Sequence, residues 1–250
     1  MEKQAPSLRL LELLEILCAQ GQPMGLADAV RASGWPKPSV HRMLSQLEAG
    51  GFITRGLGGR LYAPTQRLAQ LAENVLGTDT HRAVRHAVLG QLVAELGESV
   101  NLTALSGADV IYLDRVESAF PLRMELKPGT RVPIHCSASG KLFLAHLPPA
   151  RCAALIGALP LVRHTATTLT TRAALEDELA QIKRQGYAVD AEEFVDGLVC
   201  VAVPVTLPGS RAVRCAVALQ APSVRTPLQQ LLLQVPRLKD AAVALGRTLG

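Results

Sequence analysis

The stretch Gly34-Trp35-Pro36-Lys37-Pro38-Ser39-Val40-His41-Arg42-Met43-Leu44 constrains the fold more than any other in the chain. Two prolines one residue apart stand directly before a helical pattern in which Val40, Met43, Leu44 and Leu47 recur at i, i+3, i+4 and i+7. Pro38 at the first helical position gives up no needed donor, and its fixed φ suits a helix start. Lys37, pushed out of the α region by the proline after it, is expected to serve as the non-helical cap. Gly34 closes a short helix over about Leu26 to Ser33, and Val40 six positions later packs the second helix on the first. That is the spacing of a helix-turn-helix whose second helix offers its first turn to a DNA groove.

Charge agrees with this reading. From Arg31 to Arg67 there are six cations (Arg31, Lys37, Arg42, Arg55, Arg60, Arg67) against the single acid Glu48, which is the whole net charge of +5. The remaining cations and acids balance. Such a local excess beside a helix-turn-helix pattern is the electrostatic footprint of nucleic-acid binding. Ser39, His41, Arg42 and Ser45 project opposite the apolar stripe. Arg42 is expected to read a guanine edge, with Lys37 and Ser39 better placed for phosphates and Pro38 among the DNA-facing residues of the helix start. Arg55 and Arg60 flank Gly56-Leu57-Gly58-Gly59, a glycine-tipped hairpin with the build of a wing.

With 250 residues the chain has room for two cores, and with aromatics at 3 % these must be Leu, Val and Ala packing. No apolar run approaches the roughly 18 residues of a membrane span, and Met1–Gln4 open no export signal. Five scattered cysteines, odd in number and never Cys-x-x-Cys, make neither a disulfide framework nor a zinc site. A reduced, cytoplasmic, soluble protein without cofactor or metal is expected.

Periodicity predicts helices over 8–19 (capped by Ser7), 26–33, 38–49 and 65–76, with strands at 52–55 and 60–63. The style changes near Gly77, the expected boundary between domains 1–77 and 78–250. Beyond it come helices at 81–96, 137–146, 149–158, 172–185 and 227–249. Strands are expected at 100–105, 110–116, 122–126, 198–207 and 213–220, with a type II turn at Lys127-Pro128-Gly129-Thr130. The order suits an α+β fold with a mainly antiparallel sheet flanked by helices.

"GWPKPSVHRMLSQLEAGGFITR" resembles the turn, recognition helix and wing of the isocitrate lyase regulator (IclR) family of bacterial transcription factors. "RVPIHCSASGKLFLA" and "GYAVDAEEFVDGLVCVAVPV" resemble the two signature segments of that family's effector-binding domain. The resemblance implies an N-terminal winged helix-turn-helix domain and a C-terminal GAF-like domain that holds a small organic molecule, often a carboxylate. By the same token Ala138, Ser139 and Gly140 would give backbone donors to an anion, Asp190 and Cys200 would line the opposite wall, and Ala218 and Gln220 would form the floor. Its implied partners are double-stranded DNA with a palindromic operator, a second copy as homodimer or dimer of dimers, and RNA polymerase. The chain departs from the family pattern at Val30 and Pro38, and at Ala218 and Gln220, where serines are common. Lost hydroxyls point away from the smallest keto-acids and toward a bulkier or aromatic acid touching Leu122 and Met124.

Other chemistry finds little support. His135 and Cys136 are adjacent, and neighbours on an extended segment point to opposite faces, so no nucleophile–base pair is expected. Asp190, Glu192, Glu193 and Asp196 lack a histidine and a calcium-loop spacing, and are expected to cap turns or line the pocket. Ser139-Gly140-Lys141 fails as a phosphate loop, because His135 holds its first glycine position. Two rival readings remain: a Cys136- or Cys200-dependent hydrolase or transferase, and a constitutive DNA-binding module with a vestigial pocket.

Overall fold

The computed structural model describes residues 5–20, 22–56, 59–76, 79–121, 129–210 and 212–249. They fall into two compact units, the first ending at Val75 and the second beginning at Leu76.

The first unit runs α1 (Pro6–Ala19), β1 (Met24–Gly25), α2 (Leu26–Ser33), α3 (Lys37–Ala49), β2 (Ile53–Arg55), β3 (Leu61–Pro64) and α4 (Gln66–Leu76). Leu13, Leu14 and Leu17 of α1 meet Val40, Met43, Leu44 and Leu47 of α3 in one core, closed by Met24, Ile53 and Tyr62. β3 lies between β1 and β2, all antiparallel. Two capping expectations are corrected. Ala5, not Ser7, stands at the N-cap of α1, because Pro6 already supplies a donor-free first turn. Lys37 is the first residue of α3 and Pro36 its cap, so Pro38 sits in the first turn, where its missing N–H costs nothing.

The second unit is one six-stranded antiparallel sheet between two helical layers. α5 (Asp79–Leu96) leads to β4 (Ser99–Ser106), β5 (Asp109–Val116), β6 (Arg131–Pro133), α6 (Ala138–His146), α7 (Pro149–Ala158) and α8 (Arg172–Gln185). Then come β7 (Ala188–Ala191), β8 (Leu198–Thr206), β9 (Val213–Pro222), α9 (Leu228–Leu232) and α10 (Val235–Arg247). The strand order is β6-β5-β4-β9-β8-β7. One face buries Val100, Leu102, Val201, Val203, Val217 and Leu219 with residues of α5, α9 and α10. The other buries Tyr112, Cys200, Ala202, Ala216 and Ala218 with residues of α6, α7 and α8.

The expected helix at 227–249 is broken in two. A proline cannot follow a continuous turn, since its ring would strike the carbonyl four residues back; Pro236 thus forces the break at Leu233-Gln234. The short β1, β6 and β7 were not anticipated. The proposed strand 122–126 lies outside the described residues, as do Lys127 and Pro128 of the proposed turn. A bulge interrupts the β4–β5 ladder: Thr103 pairs with Tyr112 but Leu102 with Asp114, leaving Leu113 as an extra residue. Asp114 thereby turns toward α5, where His86 Nδ1 lies 3.1 Å from it, and Arg115 turns to the α6 face.

Candidate DNA-reading surface and effector site

In the first unit the turn between α2 and α3 is made by Gly34 at φ 69°, a left-handed conformation that favours glycine, with its N–H on the Val30 carbonyl at 2.9 Å. Ser33 ties the corner, donating to Ala29 O at 2.7 Å and accepting from Trp35 N–H at 3.3 Å. Burying Val40, Met43, Leu44 and Leu47 leaves Lys37, Pro38, His41 and Arg42 exposed, with Ser39 and Ser45 half-buried. The geometry brings these six together on one outer face. Arg55 and Arg60 are exposed too, but Arg55 is engaged by the fold. Its Nε donates to Glu48 at 2.9 Å and its guanidinium lies over Tyr62. Glu48, the lone acid of the basic stretch, is thus neutralised by the wing, while Lys37, Arg42 and Arg60 join no ion pair among the described residues.

In the second unit, pairing register assigns faces, because laterally paired residues share one. Asp190 pairs with Cys200, Cys200 with Gln220, and Gln220 with Ser99. The adjacent row is Ala188, Ala202, Ala218, Asn101 and Arg115. Four of the expected effector residues, Asp190, Cys200, Ala218 and Gln220, therefore lie together on the face toward α6. Leu122 and Met124 lie outside the described residues.

Ala138, Ser139 and Gly140 form the buried first turn of α6, but Gly140 does not offer its amide to a ligand. That N–H is directed to the side chain of Ser137, the N-cap, at 3.3 Å. Gly140 is required by contact instead: a Cβ there would fall inside the Ile134 carbonyl. The ordinary cap signal of a serine three residues earlier was present in the sequence.

Two features escaped the sequence reading. Arg115, its side chain 2 % exposed, donates through Nη1 to Asn101 Oδ1 at 2.6 Å and Gln220 Oε1 at 2.9 Å, with Glu117 3.5 Å from its Nε. Its signal was the charged pair Asp114-Arg115 inside an otherwise apolar strand. Lys141 is fully buried and pairs with Glu193 and, at 3.2 Å, with Glu178. The acidic turn is structural, as expected. Asp190 Oδ1 accepts from Glu193 N–H at 2.7 Å, and Glu192 Oε2 accepts from Gly197 N–H at 2.7 Å.

Burial pushes the Asp190 carboxyl up to about 7; the Glu193 amide and Lys141 oppose this, and the Glu193 charge adds to it. Burial also raises Glu193 against the pull of Lys141. The Cys136 thiol is pushed up to about 12 by burial, with Asp190 and Glu193 adding repulsion, and Cys200 is raised for the same first reason. Such thiols are poor nucleophiles at neutral pH, which removes the footing of the hydrolase reading. No helix among the described residues is long and apolar enough to cross a membrane.

A winged helix-turn-helix unit followed by a helix-flanked antiparallel sheet with a polar buried face defines a ligand-responsive DNA-binding regulator. Residues 8–56 match the IclR helix-turn-helix domain, and residues 75–247 match the bacterial transcriptional regulator IclR C-terminal domain. The chain belongs to the IclR family of transcriptional regulators. Probable transcriptional regulator SauR of Cupriavidus necator is 47 % identical over 244 residues, spanning 98 % of this chain and 96 % of that protein. Transcriptional repressor IclR of Escherichia coli is 30 % identical over 194 residues, 77 % of this chain and 71 % of that one. Among solved structures, Thermotoga maritima IclR has a TM-score of 0.65 at 25 % identity, covering 97 % of each chain. The inducer-binding domain of Acinetobacter PobR, a double mutant in complex with 3-hydroxybenzoic acid, has a TM-score of 0.60 at 25 % identity. It covers 66 % of this chain and 97 % of that one. The protein is an IclR-type transcriptional regulator with an effector-binding C-terminal domain.

Proposed function

We propose that residues 1–77 read a palindromic operator as a dimer or dimer of dimers, and that residues 78–250 sense a small organic acid. The observation that carries the effector class is the buried Arg115 guanidinium, oriented by Asn101 and Gln220 on the face that also holds Cys200 and Ala218. A planar fork of donors suits a carboxylate; here Asn101 and Gln220 accept from its Nη1, and Glu117 stands 3.5 Å from its Nε. Ala218 in place of a hydroxyl leaves an apolar floor, which favours an aromatic or branched acid over the smallest keto-acids. The hydroxybenzoate in the PobR domain belongs to the same chemical class. Dimerisation is argued from DNA: one recognition helix reads too few base pairs for useful specificity.

The test is operator binding by gel shift, across a salt series, with a panel of aliphatic and aromatic carboxylates. One acid is expected to shift the wild-type complex. Arg115→Leu should lose that response while still binding DNA, and Arg115→Lys, which keeps the charge, should retain a weakened one. A response preserved in Arg115→Leu would remove the guanidinium from the site. No response to any acid would favour a constitutive regulator.

A further inference from the structure

His135, Cys136 and His164 are used by nothing described so far, and the sequence reading placed the first two on opposite faces of an extended segment. The structure corrects that. Residues 134–136 form a turn between β6 and α6, and His164 approaches from the loop before α8. One donor atom from each of the three side chains lies within 4.8 Å of the other two.

We propose that His135, Cys136 and His164 bind one zinc ion through two imidazole nitrogens and a thiolate, leaving the fourth position to water. Three observations support the assignment. First, the ligand set is right: imidazole and thiolate suit zinc, and three protein ligands with an open fourth position is a known zinc arrangement. Second, His135 is oriented by the fold. Its Nε2 lies 2.9 Å from the Val162 carbonyl, so one nitrogen donates its proton to the backbone and the other keeps a lone pair. Third, the loop that presents His164 is pinned. The His164 and Thr165 amides donate to Thr168 Oγ1 at 3.0 and 2.8 Å, and Thr165 and Thr168 hydroxyls donate to the carbonyls of Glu192 and Glu193 at 2.7 and 2.6 Å.

Ligands on a tetrahedral zinc with bonds of about 2.0–2.3 Å stand roughly 3.5 Å apart. The exposed His164 side chain must therefore move in by about 1 Å, which its position at the rim permits. On binding, the Cys136 S–H bond breaks, sulfur keeps the electron pair for the metal, and the proton goes to solvent, with no change of oxidation state. Asp190 and Glu193 beside Cys136 add a negative field that favours a cation.

The experiment is titration of the full-length protein, reduced and stripped of metal, with cobalt(II) and then zinc. A thiolate-to-cobalt charge-transfer band that saturates at one equivalent and is bleached by zinc is expected. Cys136→Ala should lose the band and Cys18→Ala should keep it, since Cys18 is an exposed thiol on α1. His164→Ala, a substitution at an exposed position, should keep the native circular dichroism spectrum yet weaken zinc about tenfold or more against a chromophoric chelator. Absence of the band from the wild type overturns the site. So does a zinc affinity that neither Cys136→Ala nor His164→Ala reduces. Neither readout involves DNA or an organic acid, so the outcome is independent of the effector reading.

Discussion

Arg42 and Lys37 both carry a positive charge on the exposed face of α3, and the DNA contact proposed above gives them different tasks. Arg42 stands one turn into the helix, where a side chain reaches base edges, while Lys37 opens the first turn, where phosphates pass. Arg42→Ala is expected to relax preference at one position per half-site, by about 1–3 kcal/mol. Lys37→Ala should weaken all sequences alike and reduce the salt slope by about one. Binding to randomised half-sites checks both, and equal losses on every sequence for the two variants would refute the division. Asp190 makes a second residue-scale prediction. Its carboxyl titrates near 7 in the folded chain, against about 4 when unfolded, so the folded state holds the extra proton between those values. Its contribution to stability is therefore greatest below pH 4, falls as pH rises to about 7, and is flat above. Asp190→Asn keeps the oxygen that accepts from Glu193 and Phe194 and removes the titration. At pH 8 the variant should exceed the wild type by something on the order of 1–4 kcal/mol, with the advantage vanishing near pH 4. Parallel denaturation curves across that window would count against the buried acid.

At the level of elements, α6 is seated by Gly140 against the backbone of Ile134 and tethered by Lys141 to Glu178 and Glu193. Gly140→Ala forces α6 and the turn at Ile134 apart and should cost roughly 3 kcal/mol, measured by urea denaturation. Loss of acid response is expected to accompany it, because α6 covers the face that holds Arg115. Most elements were legible because their apolar spacing is long and regular: Leu175, Leu179 and Ile182 of α8 and the stripe of α3 announce themselves. The break at Leu233 was missed because the apolar period runs through it, and only the backbone clash of Pro236 interrupts it. β6 and β7 were missed because strands of three or four residues carry too little alternation to stand out. In the candidate effector site, Asp190 and Cys200 came from a family signature segment, and Ala218 and Gln220 from the resemblance that extends beyond it. Arg115 and Asn101 meet them only through strand pairing across more than a hundred residues of sequence, which no local pattern reports.

At the scale of the whole molecule, an acid on one unit can alter DNA binding by the other only if it prefers one of two arrangements of the protein. The coupling must then be reciprocal. If an acid weakens operator binding tenfold, saturating operator should weaken binding of that acid by the same factor, and calorimetry with and without DNA would check it. Unequal factors would mean that the acid acts on a species other than the one that binds DNA.

The bulge at Leu113 has a consequence for what such a site could be made to recognise. Because Leu113 is left out of the pairing, Asp114 stands opposite Leu102 and Arg115 opposite Asn101, so the guanidinium and not the carboxylate enters the face toward α6. Pairing Leu113 regularly with Leu102, with no residue lost, would bring Asp114 opposite Asn101 and place a carboxylate where the guanidinium now stands, whereas deleting Leu113 would leave both side chains on their present faces. One local break in pairing, with no change at any side chain, separates a buried face that carries a cation from one that would carry an anion.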